Sequence, residues 1–151
     1  MDEPHYREVL VAIDGSPEAE LALAHALSVA HTQNARLHLV AVAPEPPSLI
    51  GPTAGVTREQ LAEDIRREMD GVLRGACAQL PDDVSLDTRL LTGDPASEIL
   101  RAAEDARCDL IFIGTRGRGR IGAALLGSVS QEVMHRAKAT VIVVHGPGAD
   151  R

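Results

Sequence analysis

Five short apolar runs alternate with stretches of helical periodicity, and that alternation limits what this chain can become more than any other feature. Glu8 to Asp14 (EVLVAID), Arg36 to Ala43 (RLHLVAVA), Val84 to Leu91, Leu110 to Ile113 and Thr140 to Val144 (TVIVV) read as strands. Ser16-Pro17 opens a helix with Ala19, Leu23, Ala26, Leu27 and Ala30 on one face, and Glu18 and Glu20 suit its positive end. Thr57 and Gln60 have capping-box spacing ahead of an apolar stripe from Leu61 to Leu80. Glu63–Arg67 and Asp70–Arg74 are favourable i,i+4 pairs on that helix, and Pro81 stops it. Asp94-Pro95 opens a third helix, and Ser128 to Lys138 forms a fourth. Strands alternating with helices predict a parallel sheet covered on both faces. Right-handed crossovers leave few ways to wind it.

Two of the loops that follow strands are unlike ordinary short turns. One is Asp14-Gly15-Ser16 after the first strand. The other runs from Gly114 through Arg116 and Gly117, then nine residues, to Gly127-Ser128 at the head of the fourth helix. In a doubly wound sheet a ligand sits beyond the strand C-termini where the winding direction reverses. If the first and fourth strands are neighbours there, both loops meet at one crevice. Bare amides, a hydroxyl and a helix N-terminus then surround one cavity, which suits a phosphate chain. A third segment, residues 44–56, is rich in Pro and Gly and reads as a loop.

At 151 residues the chain is expected to form one domain, 1–151. With one Tyr, one Phe and no Trp, it offers no stacking platform for single-stranded nucleic acid. A net charge of −7 argues against general nucleic-acid binding as well. No secretory leader or long apolar span is visible, so no membrane association and a cytoplasmic setting are expected. Cys77 and Cys108 match no metal or redox spacing, and small buried or half-buried roles are expected for them. The six histidines show no HxxxH or HxH pattern; surface or capping roles are expected. There is no Gly-x4-Gly-Lys-[Ser/Thr] P-loop and no Gly-x-Ser-x-Gly elbow.

The chain resembles the universal stress protein family. The resemblance rests on Gly114, Gly117, Gly127 and Ser128 in a Gly-x2-Gly-x9-Gly-Ser pattern, on Val11 to Ser16, and on the closing Ala139 to Val144. It implies an α/β, doubly wound, Rossmann-like fold: a five-stranded parallel sheet in the order 3-2-1-4-5 with four flanking helices. It also implies ATP as ligand, beside which the Asp14 carboxylate calls for Mg or Mn, and a homodimer, which we expect through strand 140–145, an apolar run at the expected sheet edge. By the same resemblance Asp14 faces the ribose or a phosphate-bound metal, and Ala12 and Ile13 flank the adenosine. Val42 offers backbone hydrogen bonds to the adenine edge, and Ile113 packs on the base. Gly114 and Gly117 admit the ribose and phosphates, and Arg116 reaches the phosphates. Gly127, Ser128, Val129 and Ser130 cradle the phosphate chain.

Most of these residues also have a plainer reading. The glycines of 114–127 can simply make a loop. Ser128 with Gln131 has capping-box spacing of its own. Asp-Gly is a common turn, although a carboxylate beside a phosphate also calls for a bridging cation. Arg116, Arg118 and Arg120 can be a solvated face or a phosphate clamp. The expected function is a dimeric, nucleotide-responsive regulator of the stress response with no catalytic residues. The alternatives are a slow ATPase or phosphotransferase in the same pocket, or an interaction module that needs no nucleotide. The downstream partner is not legible.

Overall fold

The computed structural model describes residues 1–48, 55–115 and 126–146. Nine elements alternate along the chain: β1 (Glu8–Ala12), α1 (Pro17–Gln33), β2 (Arg36–Ala43), α2 (Arg58–Ala78), β3 (Leu86–Thr92), α3 (Pro95–Asp105), β4 (Leu110–Gly114), α4 (Ser128–Arg136) and β5 (Thr140–Val144). All five strands are parallel, in the order β3-β2-β1-β4-β5, as expected. Helices cover both faces. α1 and α2 share one apolar layer with Val9, Val11, Leu37, Leu39 and Phe112, while α3 and α4 share the other with Leu10, Val40 and Ile111.

The burial follows from position in the sheet. In β1 and β4, Val9, Leu10, Val11 and Leu110 are fully buried, because a central parallel strand meets a helix on each face. The edge strand β5 instead alternates exposed and half-buried residues until Val144. β1 ends at Ala12 rather than at Asp14, although the amide of Ile13 still donates to the Val40 carbonyl at 2.9 Å. Asp14 has left the ladder because its Oδ1 accepts the Ser16 amide at 2.9 Å, an Asx turn that starts the loop. The other limits move by a residue or two: β3 is Leu86–Thr92, β4 gains Gly114, and α4 stops at Arg136.

Three helices carry the side-chain caps their sequences announce. Ser16 Oγ accepts the Ala19 amide at 3.2 Å, Asp94 Oδ2 accepts the Ser97 amide at 3.1 Å, and Thr57 and Gln60 close a reciprocal capping box at 3.1 and 2.9 Å. Both expected i,i+4 pairs on α2 form, Asp70–Arg74 at 2.6 Å and Glu63–Arg67 at 3.8 Å.

Two polar residues depart from expectation. Glu18 is buried, not merely placed at the positive end of α1. His38 is also buried rather than on the surface: it bridges three neighbouring strands, with Nε2 2.5 Å from Glu8 and Nδ1 3.4 Å from Asp87. Register explains it, because His38 lies opposite Leu10 on β1 and Asp87 on β3, and every second residue of β1 faces the same side. The cysteines are half-buried, and desolvation pushes the Cys108 thiol up to about 12, with Glu8 and Asp109 adding to the shift.

Candidate functional site

The order β3-β2-β1-β4-β5 places the reversal of winding between β1 and β4, so the C-terminal ends of those two strands lie side by side. The β1 loop is built locally. The Asx turn of Asp14 hands the chain to Gly15, whose φ of 86° is the left-handed conformation glycine adopts freely, and then to Ser16, which caps α1. Asp14 is half-buried there.

The β4 loop is built by tertiary contacts. The Thr115 amide donates to the Val144 carbonyl at 2.9 Å, which carries β4–β5 pairing one residue past Gly114. The Thr115 carbonyl then accepts twice, from the Gly127 amide at 2.6 Å and from Ser130 Oγ at 3.0 Å. The end of β4 and the start of α4 are thereby tied together across the intervening segment.

α4 begins differently from the other helices. Its N-cap is Gly127, in an extended conformation, with no side-chain cap. This corrects the expected Ser128–Gln131 capping box: Ser128 is the first helical residue and exposed, and Gln131 donates its amide to the Gly127 carbonyl at 3.0 Å. The spacing suits a box, but the Thr115 carbonyl holds Gly127, which is the N-cap in place of Ser128. First-turn amides that no capping side chain accepts from are an anion's natural partners.

Strand alternation divides the expected site residues between two faces. Val42 and Ile113 are buried in the α3/α4 layer, and Ala12 and Val129 pack against that layer. Ile13 belongs to the α1/α2 layer and is 5% exposed. Ala12 and Ile13 therefore do not flank one surface together, because successive residues of an extended strand point to opposite sides. Val42 lies two residues beyond Val40, whose carbonyl accepts from Ile13 on the β1 side. The peptide groups of alternate residues face the same neighbour, so those of Val42 face the space left where β1 stops.

Gly114 has a structural demand of its own. A Cβ there would lie 2.8 Å from Glu18 Cβ and 3.0 Å from the Glu18 carbonyl carbon, so α1 itself requires the glycine. Ser130 is 2% exposed, with its hydroxyl on the carbonyls of Thr115 and Gly127 at 3.0 and 2.9 Å. Thr115, 3% exposed, is the residue that sequence reasoning missed; its role is carried by main-chain groups, which leave no pattern in the sequence. Arg116 and Gly117, with Arg118 and Arg120, lie outside the described residues, as does the 49–54 part of the expected loop.

Among the described residues no group of three His, Cys, Asp or Glu side chains is placed to hold a metal, and no helix is long and apolar enough to cross a membrane. A separate cavity of about 360 Å³ lies between α3 and α4, lined by Leu100, Arg107, Cys108, Arg136 and Lys138 among others. Cys108 and Ala139 in its lining place it at the N-terminal ends of β4 and β5.

The family model described as "Universal stress protein family" matches residues 5–145. The "Universal stress protein in QAH/OAS sulfhydrylase 3'region" of Thermus aquaticus is 39% identical over 144 residues, 92% of this chain and 98% of its own length. Among solved structures, the hypothetical protein MJ0577 superposes with a TM-score of 0.81 at 25% identity, over 94% of this chain and 97% of that one. A universal stress protein solved in complex with cAMP superposes with a TM-score of 0.60 at 26% identity, over 94% and 98% of the two chains.

Proposed function

The chain belongs to the universal stress protein family, and on that premise we propose that it binds an adenine nucleotide, ATP, between the loops after β1 and β4 and acts as a dimeric, nucleotide-responsive regulator in the stress response. One observation carries the reading: the Thr115–Gly127 bond sets the α4 N-terminus, free of any capping side chain, against the end of β4 at the reversal of the sheet. The phosphates take the first-turn amides of Ser128 and Val129 and the exposed Ser128 hydroxyl. The base lies toward Ala12, Val42 and Ile113, with the Val42 peptide groups at its edge. Arg116, Gly114, Gly117 and Gly127 complete the expected contact set. The family relative solved with cAMP shows that this fold accepts an adenine nucleotide in at least that member.

The donor set fits an anion. Magnesium or manganese would arrive with the triphosphate, and Asp14, just after β1, would be the carboxylate to meet it. The bound cation would offset charge between that carboxylate and the phosphates. The sequence carries no Gly-x4-Gly-Lys-[Ser/Thr] P-loop to stabilise charge at the γ-phosphate, and we propose retention of the nucleotide without turnover. Titration calorimetry with Mg-ATP, AMP and cAMP tests the reading directly. At ATP about 100-fold above Kd, binding adds about 2.7 kcal/mol of stability. For a domain of this size that raises Tm by roughly 5–10 °C. A flat titration and an unmoved Tm at millimolar Mg-ATP would defeat the proposal. Phosphate release above the buffer blank would replace it with the slow-ATPase reading.

A further inference from the structure

We infer that the Ser130 side chain positions the anion-binding turn and that its hydroxyl is not one of the ligands. The affinity part of this inference rests on the nucleotide reading above. Its hydroxyl is 2% exposed with the rest of the residue, and it lies 3.0 Å from the Thr115 carbonyl and 2.9 Å from that of Gly127. A hydroxyl has one proton, so the two carbonyls share it or take it in turn.

Both acceptors are then filled. The Thr115 carbonyl also takes the Gly127 amide at 2.6 Å, and the Gly127 carbonyl also takes the Gln131 amide at 3.0 Å. A carbonyl has two lone pairs, so this clasp is closed on itself, and the one proton of the Ser130 hydroxyl is used within it rather than on a phosphate. The clasp joins the last residue before the loop to the first turn after it. Its outer anchor is the Thr115 amide on Val144. The amides of Ser128 and Val129 stand on this support, held before any ligand arrives. A preorganised donor set binds more tightly than one that must be ordered by its ligand.

Three variants test it. Ser130→Ala removes the hydroxyl. Ser130→Cys keeps the volume and substitutes a weak donor. Ser130→Thr restores a hydroxyl, which on a helix can bond the carbonyl three residues back, here that of Gly127. Two readouts are needed: Mg-ATP affinity by calorimetry, and ¹⁵N order parameters of Ser128 and Val129 in the ligand-free protein. In Ser130→Ala the order parameters should fall from about 0.85 toward 0.6, with that of Val133 on the same helix unchanged. ATP affinity should drop roughly 3- to 10-fold, the scale of one lost hydrogen bond. Ser130→Cys should follow Ala, and Thr should recover both readouts. An affinity loss with rigid, unchanged amides would make Ser130 a direct ligand and overturn the inference. So would loosened amides with wild-type affinity, or no change in either. If the wild-type protein binds no nucleotide, the proposed function and the affinity part fail, while the ligand-free order parameters still decide the positioning role.

Discussion

A methyl group at residue 114 would have nowhere to go. It would meet Glu18 Cβ at 2.8 Å and the backbone nitrogen of Ala19 at 3.1 Å, and helix backbone cannot swing aside as the tip of a side chain can. Gly114→Ala should therefore destabilise the fold by about 1–3 kcal/mol, the usual cost of overpacking, read as a lower urea midpoint with an unchanged slope. A variant as stable as wild type would mean that α1 stands further from β4. The same geometry changes how a binding experiment on this variant is interpreted, since lost affinity would report a displaced α1 as readily as a lost ligand contact. Glu18 shows how one residue carries two meanings. In the sequence it is an acid in the first turn of a helix, which is correct. Its burial beneath Gly114 and Gly146 depends on two chain segments about a hundred residues and more away, and no local pattern encodes that.

Helix starts were legible where the cap and its acceptor lie within one turn. Asp94 is such a case. Its carboxylate accepts from Ser97, and this hydrogen bonding, foremost the backbone bond, holds its carboxyl below the ordinary range, with Arg136 contributing a smaller part. A carboxyl whose pKa is depressed by folding adds stability above its unfolded pKa, and that contribution is lost as pH falls through the folded value. Asp94→Ala should cost about 1 kcal/mol near neutral pH. Its stability deficit against wild type should shrink as the solution is acidified. Asp94→Asn should keep most of the cap and show less of this pH dependence. A deficit of equal size at neutral and strongly acid pH would refute the electrostatic part. α4 begins at Ser128 as expected, but without the capping box, for a physical reason. Ser128 and Gln131 stand at capping distance in the sequence, but the Thr115 carbonyl competes for the chain and makes Gly127 the cap. Strand existence and sheet order came through, since continuous apolar runs such as Leu110 to Ile113 have few other uses. Their ends did not, because Asp14 leaves β1 through a side-chain bond. Within the candidate site, the type of loop was visible, and the assignment of Ala12 and Ile13 to opposite faces needed the register.

At the scale of the whole molecule the sheet has two unlike edges. β3 carries Asp87 and Arg89, which pair with each other at 3.6 Å, and charges along an edge discourage another strand from adding to it. β5 carries none between Thr140 and Val144, and among the described residues its one strand neighbour is β4. Ile142 is 38% exposed on it. The proposed homodimer through residues 140–145 follows from this asymmetry, because a two-fold pairing of identical edges satisfies both open ladders at once. Ile142→Lys should abolish it. The residue is exposed enough for the protomer to keep its fold, while like charges would then face each other across the two-fold. Sedimentation should show wild type as a dimer and the variant as a monomer with an unchanged far-ultraviolet spectrum. Tm of wild type should rise with protein concentration, since assembly stabilises the folded state by mass action, and Tm of the variant should not. The Thr115 amide bonds Val144 at the end of this same strand, so a hydrogen bond joins the proposed dimer edge to the proposed nucleotide loop. A wild-type protein that sediments as a monomer at about 100 μM would remove the dimer from the proposal. The nucleotide site would survive that result, because every described group assigned to it comes from one chain.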